Sequence, residues 1–579
     1  MMSTEAKVTV GGRISGEVLL VQNAEGAKRN ANLSGKRTDY DDYIFVVHLV
    51  FLSIALAVFF FYIFWRESTM FLENVELING KVNSIVWGAF GLVLLVGTGI
   101  LLTCMTKFFQ VTHIGHWFKQ TIGSVFKKSV SGHTGKKDKS ISQFQSMCTA
   151  LAATVGVGNI AGVASAIATG GAGAVFWMWV AAFFGMMTNY SENVLGIYYR
   201  RKNPHGEWSG GPMYYLQDGL GAKKGFKTIG KVLAIAFAFC ALLASFGIGN
   251  MGQVNKIVAN VQAAFPIEAL SSDFGGVTVY SWVIGFVLMA LVALIVLGGV
   301  KRIAAVAEKI VPFMVVLFVI GSFVIIGVNY TAIGAAFSSI FVTAFNPVAV
   351  TGGVFGYVVK NVVAQGFKRG VFSNEAGLGS SVMVHSNSKV KEPVQQGMWG
   401  IFEVFVDTII VCTMTALVIL TSGVYNLETG LIAEGAGQEA TLVASAFDTV
   451  FTFGNFHIGS MFIAVAIFLF AFTTVLGWSH YGTKAFEYLF GTKAVPVYKV
   501  IFVLMTISGA IMTSSLAWDL SDTFNGLMMI PNLIGVVSLS GLVVKITKNY
   551  IDRKLKGKDI EPMLSVYADV TEEVKTYEE

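Results

Sequence analysis

The residues best suited to hold a solute lie at 152–162, where the sequence is AATVGVGNIAG within an apolar segment of about 144–169. A membrane helix needs about 20 apolar residues, and the glycines Gly156 and Gly158 on either side of Val157 do not strengthen one at mid-depth. Unpaired backbone groups are tolerated there only when they are buried in protein or line a polar cavity. Free N–H groups suit a carboxylate and free carbonyls suit a cation. The stretch therefore predicts a helix that is broken at a solute-binding site.

The composition indicates a protein made for a lipid bilayer. Of 579 residues, 54% are hydrophobic, only 13% are charged and 63 are glycine. These values exclude an ordinary soluble protein of this length. The formal net charge is +6, but Lys and Arg form short clusters between apolar spans, which does not suggest a nucleic-acid partner. We therefore expect an all-α polytopic membrane protein.

Apolar runs and basic joints predict the topology. The joints at 105–142 and 200–231 are rich in Lys and Arg, whereas the joints on the opposite side carry acids, which places both termini in the cytoplasm of a multi-pass protein of the cell (inner) membrane. The segment 332–346 is too short to span and predicts a helix on the outer face. The twelve predicted transmembrane helices are 44–65, 82–105, 143–169, 172–199, 230–258, 280–298, 304–328, 351–371, 397–421, 455–480, 498–518 and 523–545.

A second glycine-rich stretch, with Gly352 and Gly353, opens the eighth span. Two such breaks five spans apart predict a five-plus-five inverted repeat with discontinuous first helices. The alternative is that these glycines only let helices pack closely. The predicted divisions are a cytoplasmic N-terminal tail at 1–43, an extra transmembrane helix at 44–65, a peripheral helix at 82–105, repeats at 141–330 and 346–548, and a cytoplasmic C-terminal tail at 549–579.

The run GGAGAVFWMWVAAFFGM at 170–186 resembles the signature of the alanine or glycine:cation symporter family, also called sodium:alanine symporters. Four further stretches are similar to that family, at 153–163, 210–215, 373–380 and 472–479. The resemblance covers about 82–548 and places the chain in the amino acid-polyamine-organocation superfamily. It implies an eleven-helix body whose last ten helices form the inverted repeat, so that 44–65 is an addition.

The resemblance also implies roles for single residues. Backbone N–H groups at the first break would hold the substrate carboxylate, with the carbonyl of Asn159 next to cation and substrate. The hydroxyls of Thr473 and Thr474 would complete a sodium site. The alternatives are that Asn159 caps the second half-helix and that the hydroxyls bond their own helix. The implied substrate-binding residues are Gly156, Gly158, Asn159, Gln253, Thr474, Trp478, Gly352 and Gly353, and the implied sodium ligands are Ala152, Val155, Asn159, Thr473 and Thr474.

Two candidates have a second interpretation from the residues alone. Gln253 lies in a polar patch within the fifth span, so it either bonds across helices or faces the substrate. Trp478 is four residues after Thr474, hence on the same helix face, and walls the pocket unless it belongs to an interfacial belt. The chain departs from the family at Val157, where Thr is common among its members. It also departs at His480 and Thr483, which are expected to lie at the inner gate.

Three acids within predicted spans are functional candidates by default. Glu192 is near a cytoplasmic end and is expected to pair with a basic loop. Asp407 is structural if it bonds Thr or Asn neighbours, and it carries a coupling proton if it faces the cavity. Glu403 lies one turn before Asp407. The pair Asn374 and Glu375 is predicted to start a helix and form an inner gate.

These features predict a secondary active symporter that imports a small neutral amino acid, alanine or glycine, with sodium by alternating access. The alternatives are a proton-coupled or glutamine-preferring transporter and, in another class, a polytopic membrane enzyme or a solute sensor. The sequence contains no HExxH or GxSxG motif, which argues against an enzyme. The oligomeric state does not follow from the sequence.

Overall fold

The computed structural model describes residues 69–127, 139–346, 355–454, 456–512 and 516–577, and helices dominate them. The predicted all-α class is confirmed. In chain order the longer helices are α1 (Thr69–Val86), α2 (Ala89–Met105), α3 (Gln143–Thr154), α4 (Val163–Gly170), α5 (Gly173–Tyr198), α6 (Lys227–Phe246), α7 (Gly252–Ala264), α8 (Val279–Val296), α9 (Gly299–Val328), α10 (Ile333–Phe345), α11 (Phe355–Asn374), α12 (Pro393–Val404), α13 (Thr413–Thr421), α14 (Ala440–Asp448), α15 (Ile458–Phe490), α16 (Val495–Ile511), α17 (Leu516–Ser538), α18 (Ser540–Lys554) and α19 (Ala568–Lys575).

Short elements join these helices. Widened π-helical turns, which are frequent at functional sites, lie at Gly158–Gly162, Tyr215–Leu220, Gly247–Met251 and Phe405–Cys412. Short α-helices lie at Phe109–Thr112, Ile114–Gln120, Pro212–Tyr214 and Val382–His385, and 3₁₀ turns lie at Ile122–Ser124, Glu268–Leu270, Tyr330–Ala332 and Thr492–Ala494. Within the described ranges, three antiparallel hairpins pair Arg201–Lys202 with Trp208–Ser209, Asp273–Phe274 with Val277–Thr278, and Thr452–Phe453 with Phe456–His457.

Seven helical stretches among the described residues are long and apolar enough to cross a membrane, or nine if each bent pair is one span. The first, Asn74–Met105, includes the predicted span 82–105. The predicted short helix at 332–346 is confirmed as α10. The tail 1–43 and the extra helix 44–65 lie outside the described residues, so the count of twelve and the inverted repeat stay predictions.

The first predicted break is confirmed between α3 and α4. A capping box starts α3, in which Ser142 and Gln145 exchange side-chain to backbone hydrogen bonds of 3.1 Å. The helix ends at Thr154, and the chain continues at Gly158–Gly170 with a bend of 52°. A π-helical turn then leads into α4. The sequence thus interrupts this span where its two glycines fall.

Small residues let neighbouring helices approach the broken helix and cover it. A Cβ atom added at Gly477 of α15 would lie 2.6 Å from the Cβ of Ala153 in α3. A Cβ at Gly170, the last residue of α4, would lie 3.1 Å from the Cβ of Gln365 in α11. Glycine at such contacts allows close backbone packing inside a membrane. The break is therefore enclosed by protein, and Asn159 is fully buried.

The C-terminal residues fold back onto the hairpin that follows α5. Trp208 of this hairpin is 1% exposed and packs against Leu564, Val570 and Val574. A 2.5 Å ion pair joins Lys202 of the hairpin to Glu573 of α19. The predicted C-terminal tail is thus an ordered part of the protein from residue 556 to 577.

Candidate binding site

Asn159 closes the first break with its own side chain. The N–H of Gly156 donates to Asn159 Oδ1 at 2.9 Å, whereas a continuous helix would direct this N–H to the carbonyl of Ala152. The carbonyl of Ala152 therefore loses its helical donor. Val155 has ψ 87°, which turns its carbonyl away from the helix direction as well. Two of the carbonyls implied as cation ligands are thus freed by the break.

Gly156 faces α15 and α7. A Cβ atom added there would lie 2.5 Å from Thr474 Oγ1 and 3.6 Å from Gln253 Oε1. Gln253 donates through Nε2 to the carbonyl of Ile248 at 3.1 Å, and its buried Oε1 has no partner among the described residues. A buried acceptor without a donor is costly, so this oxygen suits a ligand that brings an N–H group. The structure therefore brings Gly156, Thr474 and Gln253 together.

Trp478 lies one turn after Thr474 on α15. A Cβ at Gly249 would lie 2.5 Å from the Cβ of Trp478, so the absence of a side chain at Gly249 makes room for the indole. The indole N–H donates to Glu375 Oε1 at 3.0 Å, and the side chain is 2% exposed. Trp478 is thus enclosed by protein, which does not fit a belt facing the lipid interface.

Thr473 and Thr474 point to different neighbours. Thr473 donates to the carbonyl of Leu469, and Thr474 donates to the carbonyl of Phe470, each at 2.9 Å. Thr473 Oγ1 also lies 3.5 Å from the sulfur of Met314 on α9, whereas Thr474 faces Gly156. Donation uses the hydroxyl hydrogen and leaves the oxygen lone pairs for a cation. The bonds to the helix are therefore compatible with both interpretations of this pair.

The chain leaves the helix a second time after Asn374. Gly352 and Gly353, predicted to form the second break, lie outside the described residues. The prediction that Asn374 and Glu375 start a helix is wrong, because α11 ends at Asn374 and Glu375 has φ 55°. We call residues 375–381, which are irregular and include left-handed Gly377 and Gly379, the connector.

The end of α11 adjoins the first break. A Cβ atom at Gly158 would lie 3.2 Å from the ring of Phe372 and 3.6 Å from the Cα of Ser373. The connector starts two residues beyond Ser373. Glu375 then holds Trp478 as described above and also accepts a hydrogen bond from Ser380 within the connector. Both discontinuities therefore lie beside α15.

Asp407 joins the first break to α11. Asn159 Nδ2 donates to Asp407 Oδ1 at 2.7 Å, while Ser373 and Thr408 donate to Oδ2 at 2.8 Å each. All four side chains are fully buried. These bonds to Asn, Ser and Thr neighbours match the structural alternative for Asp407. Its position, in the π-helical turn Phe405–Cys412, puts two widened turns in direct contact.

The other two acids have partners that the sequence did not reveal. Glu192 accepts a hydrogen bond from Asn532 of α17, so the predicted pairing with a basic loop is wrong. Glu403 lies 3.0 Å from the imidazole of His385. Asn532 is a single polar residue in an apolar run and His385 begins the polar stretch 385–389, and neither pattern indicates a partner by spacing alone. The divergent residues His480 and Thr483 line a cavity of about 220 Å³ that Lys484 and Glu487 also line.

Known proteins are similar in sequence to this chain over most of its length. Residues 72–563 match the model of the sodium:alanine symporter family. The sodium/alanine symporter AgcS of Methanococcus maripaludis is 43% identical over 490 residues, which are 84% of this chain and 100% of that protein.

Two proteins of Bacillus subtilis are also similar. The putative sodium/proton-dependent alanine carrier YrbD is 36% identical over 83% of this chain and 93% of its own length. The probable sodium/glutamine symporter GlnT is 34% identical over 84% of this chain and 93% of its own length. By the extent of these matches, the chain belongs to the sodium:alanine symporter family and is a membrane transporter that couples an amino acid to a cation.

Proposed function

We propose that the protein imports a small neutral amino acid, alanine or glycine, together with sodium by alternating access. The observation that carries this proposal is the convergence of the Gly156 backbone, Thr474 and Gln253 at a buried helix break. A broken helix offers N–H groups to a carboxylate, and Gln253 Oε1 offers an acceptor to an ammonium group. The close approach of Thr474 to Gly156 leaves little room for a large side chain. A small zwitterion fits these constraints.

The proposed sodium site uses oxygen ligands only. The carbonyls of Ala152 and Val155 are freed by the break, and Thr473 and Thr474 offer hydroxyl oxygens from α15. Sodium, a hard cation, suits such oxygens by extension from other hard cations. Asn159 is proposed to contribute through Oδ1, which has a second lone pair beyond the bond to Gly156. Gly158, beside Phe372, is proposed to supply a further backbone group to the substrate.

A second candidate is proton coupling or a preference for glutamine. This candidate is supported by two relatives, the putative sodium/proton-dependent alanine carrier YrbD and the probable sodium/glutamine symporter GlnT. Each is similar to this chain over more than four fifths of its length. The choice concerns the coupling ion and the substrate and leaves the site unchanged. In either case we propose a multi-pass protein of the cell membrane with both termini in the cytoplasm.

Uptake into proteoliposomes tests the proposal. Radiolabelled alanine, glycine and glutamine are supplied with an inward sodium gradient, with an inward proton gradient, or with neither. We expect alanine or glycine to accumulate only with the sodium gradient. Accumulation driven by protons alone, or of glutamine alone, would establish the second candidate instead.

A further inference from the structure

A buried polar cluster lies close to the candidate site without being part of it. His385 ends the short helix after the connector, and its Nε2 lies 3.0 Å from Glu403 Oε2 on α12, with both side chains 0% exposed. Gln396, two turns earlier on α12, places its Nε2 2.5 Å from His385 Nδ1. Asn189 of α5 donates to the same Glu403 oxygen at 3.1 Å. The short helix Val382–His385, α12 and α5 therefore meet at the hydrogen-bonded side chains of His385 and Glu403.

The hydrogen bonds define one protonation state and leave room for another. With the Gln396 amide in this orientation, its Nε2–H donates to Nδ1, which corresponds to a neutral imidazole whose Nε2–H donates to Glu403. Gln396 Oε1 and Glu403 Oε1 are buried and have no partner among the described residues. Turning the Gln396 amide over would place Oε1 against Nδ1, where it accepts a hydrogen bond only if Nδ1 is protonated. A second proton on His385 thus gives Gln396 Oε1 a hydrogen-bond donor.

Other ionisable groups surround the pair. Arg200 donates to the carbonyl of Ser386, the residue after His385. Imidazole is the side chain whose unperturbed charge change falls between pH 5 and 8. The groups that interact electrostatically with Glu403 are Glu192 of α5, Glu375 of the connector, Asp407 of the π-helical turn and Tyr481 of α15.

We propose that the pair of His385 and Glu403 is a proton-binding site whose occupation slows the transport cycle. An imidazolium bound to a carboxylate in a dry site makes a stronger bond than a neutral imidazole does. Protonation therefore fixes the short helix Val382–His385 more firmly to α12. The connector joins this helix to the end of α11, which adjoins the first break, so a firmer bond at His385 restrains the segment that leads to the site. This inference rests on the proposed function, because transport must occur before a proton can slow it.

The test is the maximal rate of sodium-driven alanine uptake in proteoliposomes between pH 5.5 and 8.5, with equal pH on both sides. We expect the wild-type rate to fall about tenfold at the acid end, the factor that corresponds to about 1.4 kcal/mol. His385→Gln keeps an N–H donor for Glu403 but does not titrate, and we expect its rate to stay flat. His480→Gln is the matched control. His480 is also buried and bonds Asn387, so this variant keeps the slowdown.

Gln396→Glu provides a second test if His385→Gln does not fold. The added carboxylate favours the imidazolium, so the slowdown begins at a higher pH than in the wild type. A slowdown that His385→Gln retains unchanged, or that Gln396→Glu leaves at the same pH, overturns the proposal while sodium-driven uptake stands. Absence of sodium-driven uptake at every pH would instead contradict the proposed function.

Discussion

Replacement of Gly156 by alanine tests the geometry of the site most directly. Gly156 does not adopt a left-handed conformation, so alanine fits its backbone and only the new Cβ matters. That atom would lie 2.5 Å from Thr474 Oγ1, about 1 Å closer than an ordinary contact. Thr474 must therefore move away from the break.

Overpacking of a well-packed interior costs about 1 to 3 kcal/mol, so the apparent affinity for alanine should fall by roughly 5 to 150-fold. The matched control is Gly162→Ala, because a Cβ at Gly162 meets no atom of the described residues within 4 Å beyond its own helical backbone, and Gly162 ends the π-helical turn that follows the break. The measurement is the concentration dependence of sodium-driven uptake, with size-exclusion profiles to verify folding.

A double variant separates a local clash from a general loss of packing. Thr474→Ala removes the atom that the new Cβ meets, so Gly156→Ala with Thr474→Ala should lose less affinity than the two single losses combined. Wild-type affinity in Gly156→Ala would refute the placement of Thr474 against the break. An equal loss in Gly162→Ala would show that any methyl group added near the first break disturbs transport.

Further substitutions address the cation, the break and the C-terminal residues. The double variant Thr473→Ala with Thr474→Ala should raise the sodium concentration for half-maximal uptake more than it changes the selectivity between alanine and glycine. An unchanged sodium dependence would show that the cation binds at another site. Asn159→Ser should lower the apparent affinity by roughly 10 to 150-fold, because serine lacks the side-chain carbonyl that is proposed to bind the cation and a bond to a charged group is worth about 1.5 to 3 kcal/mol. Near wild-type uptake would contradict this ligand role. Deletion of 564–579 exposes Trp208, so the free energy of unfolding of the purified protein should fall by about 1.5 to 3 kcal/mol, measured by thermal unfolding. An unchanged melting temperature would show that this contact does not stabilise the protein.

The first break could be predicted because its cause is local. Two glycines on either side of one valine interrupt an apolar run, and the structure bends there by 52°. The partners of Asp407 could not be predicted in the same way. Its hydrogen bonds reach Asn159 and Ser373, which are 248 and 34 residues away in the chain. Sequence spacing identifies residues on one helix face, whereas contacts between helices depend on how the whole chain packs.

The irregular connector shows a different limit. Glycines lie at 352 and 353 and again at 377 and 379, and the position of the first pair at the start of a predicted span led to the prediction of a break there. Within the connector the left-handed residues are Glu375, Gly377 and Gly379. A glutamate with φ 55° is strained, and such strain persists only where surrounding contacts fix the residue. The bonds from Ser380 and Trp478 supply those contacts.

Asn159 links these observations into one expectation for solute binding. Its Oδ1 occupies the Gly156 N–H, which is the group that a substrate carboxylate would need. A carboxylate accepts a stronger hydrogen bond than a neutral amide oxygen, so an arriving amino acid should displace Oδ1 from this N–H. The released carbonyl is then free to bind the cation, while Nδ2 stays on Asp407 at the end of α11. Substrate and cation would therefore favour each other's binding through a single amide side chain.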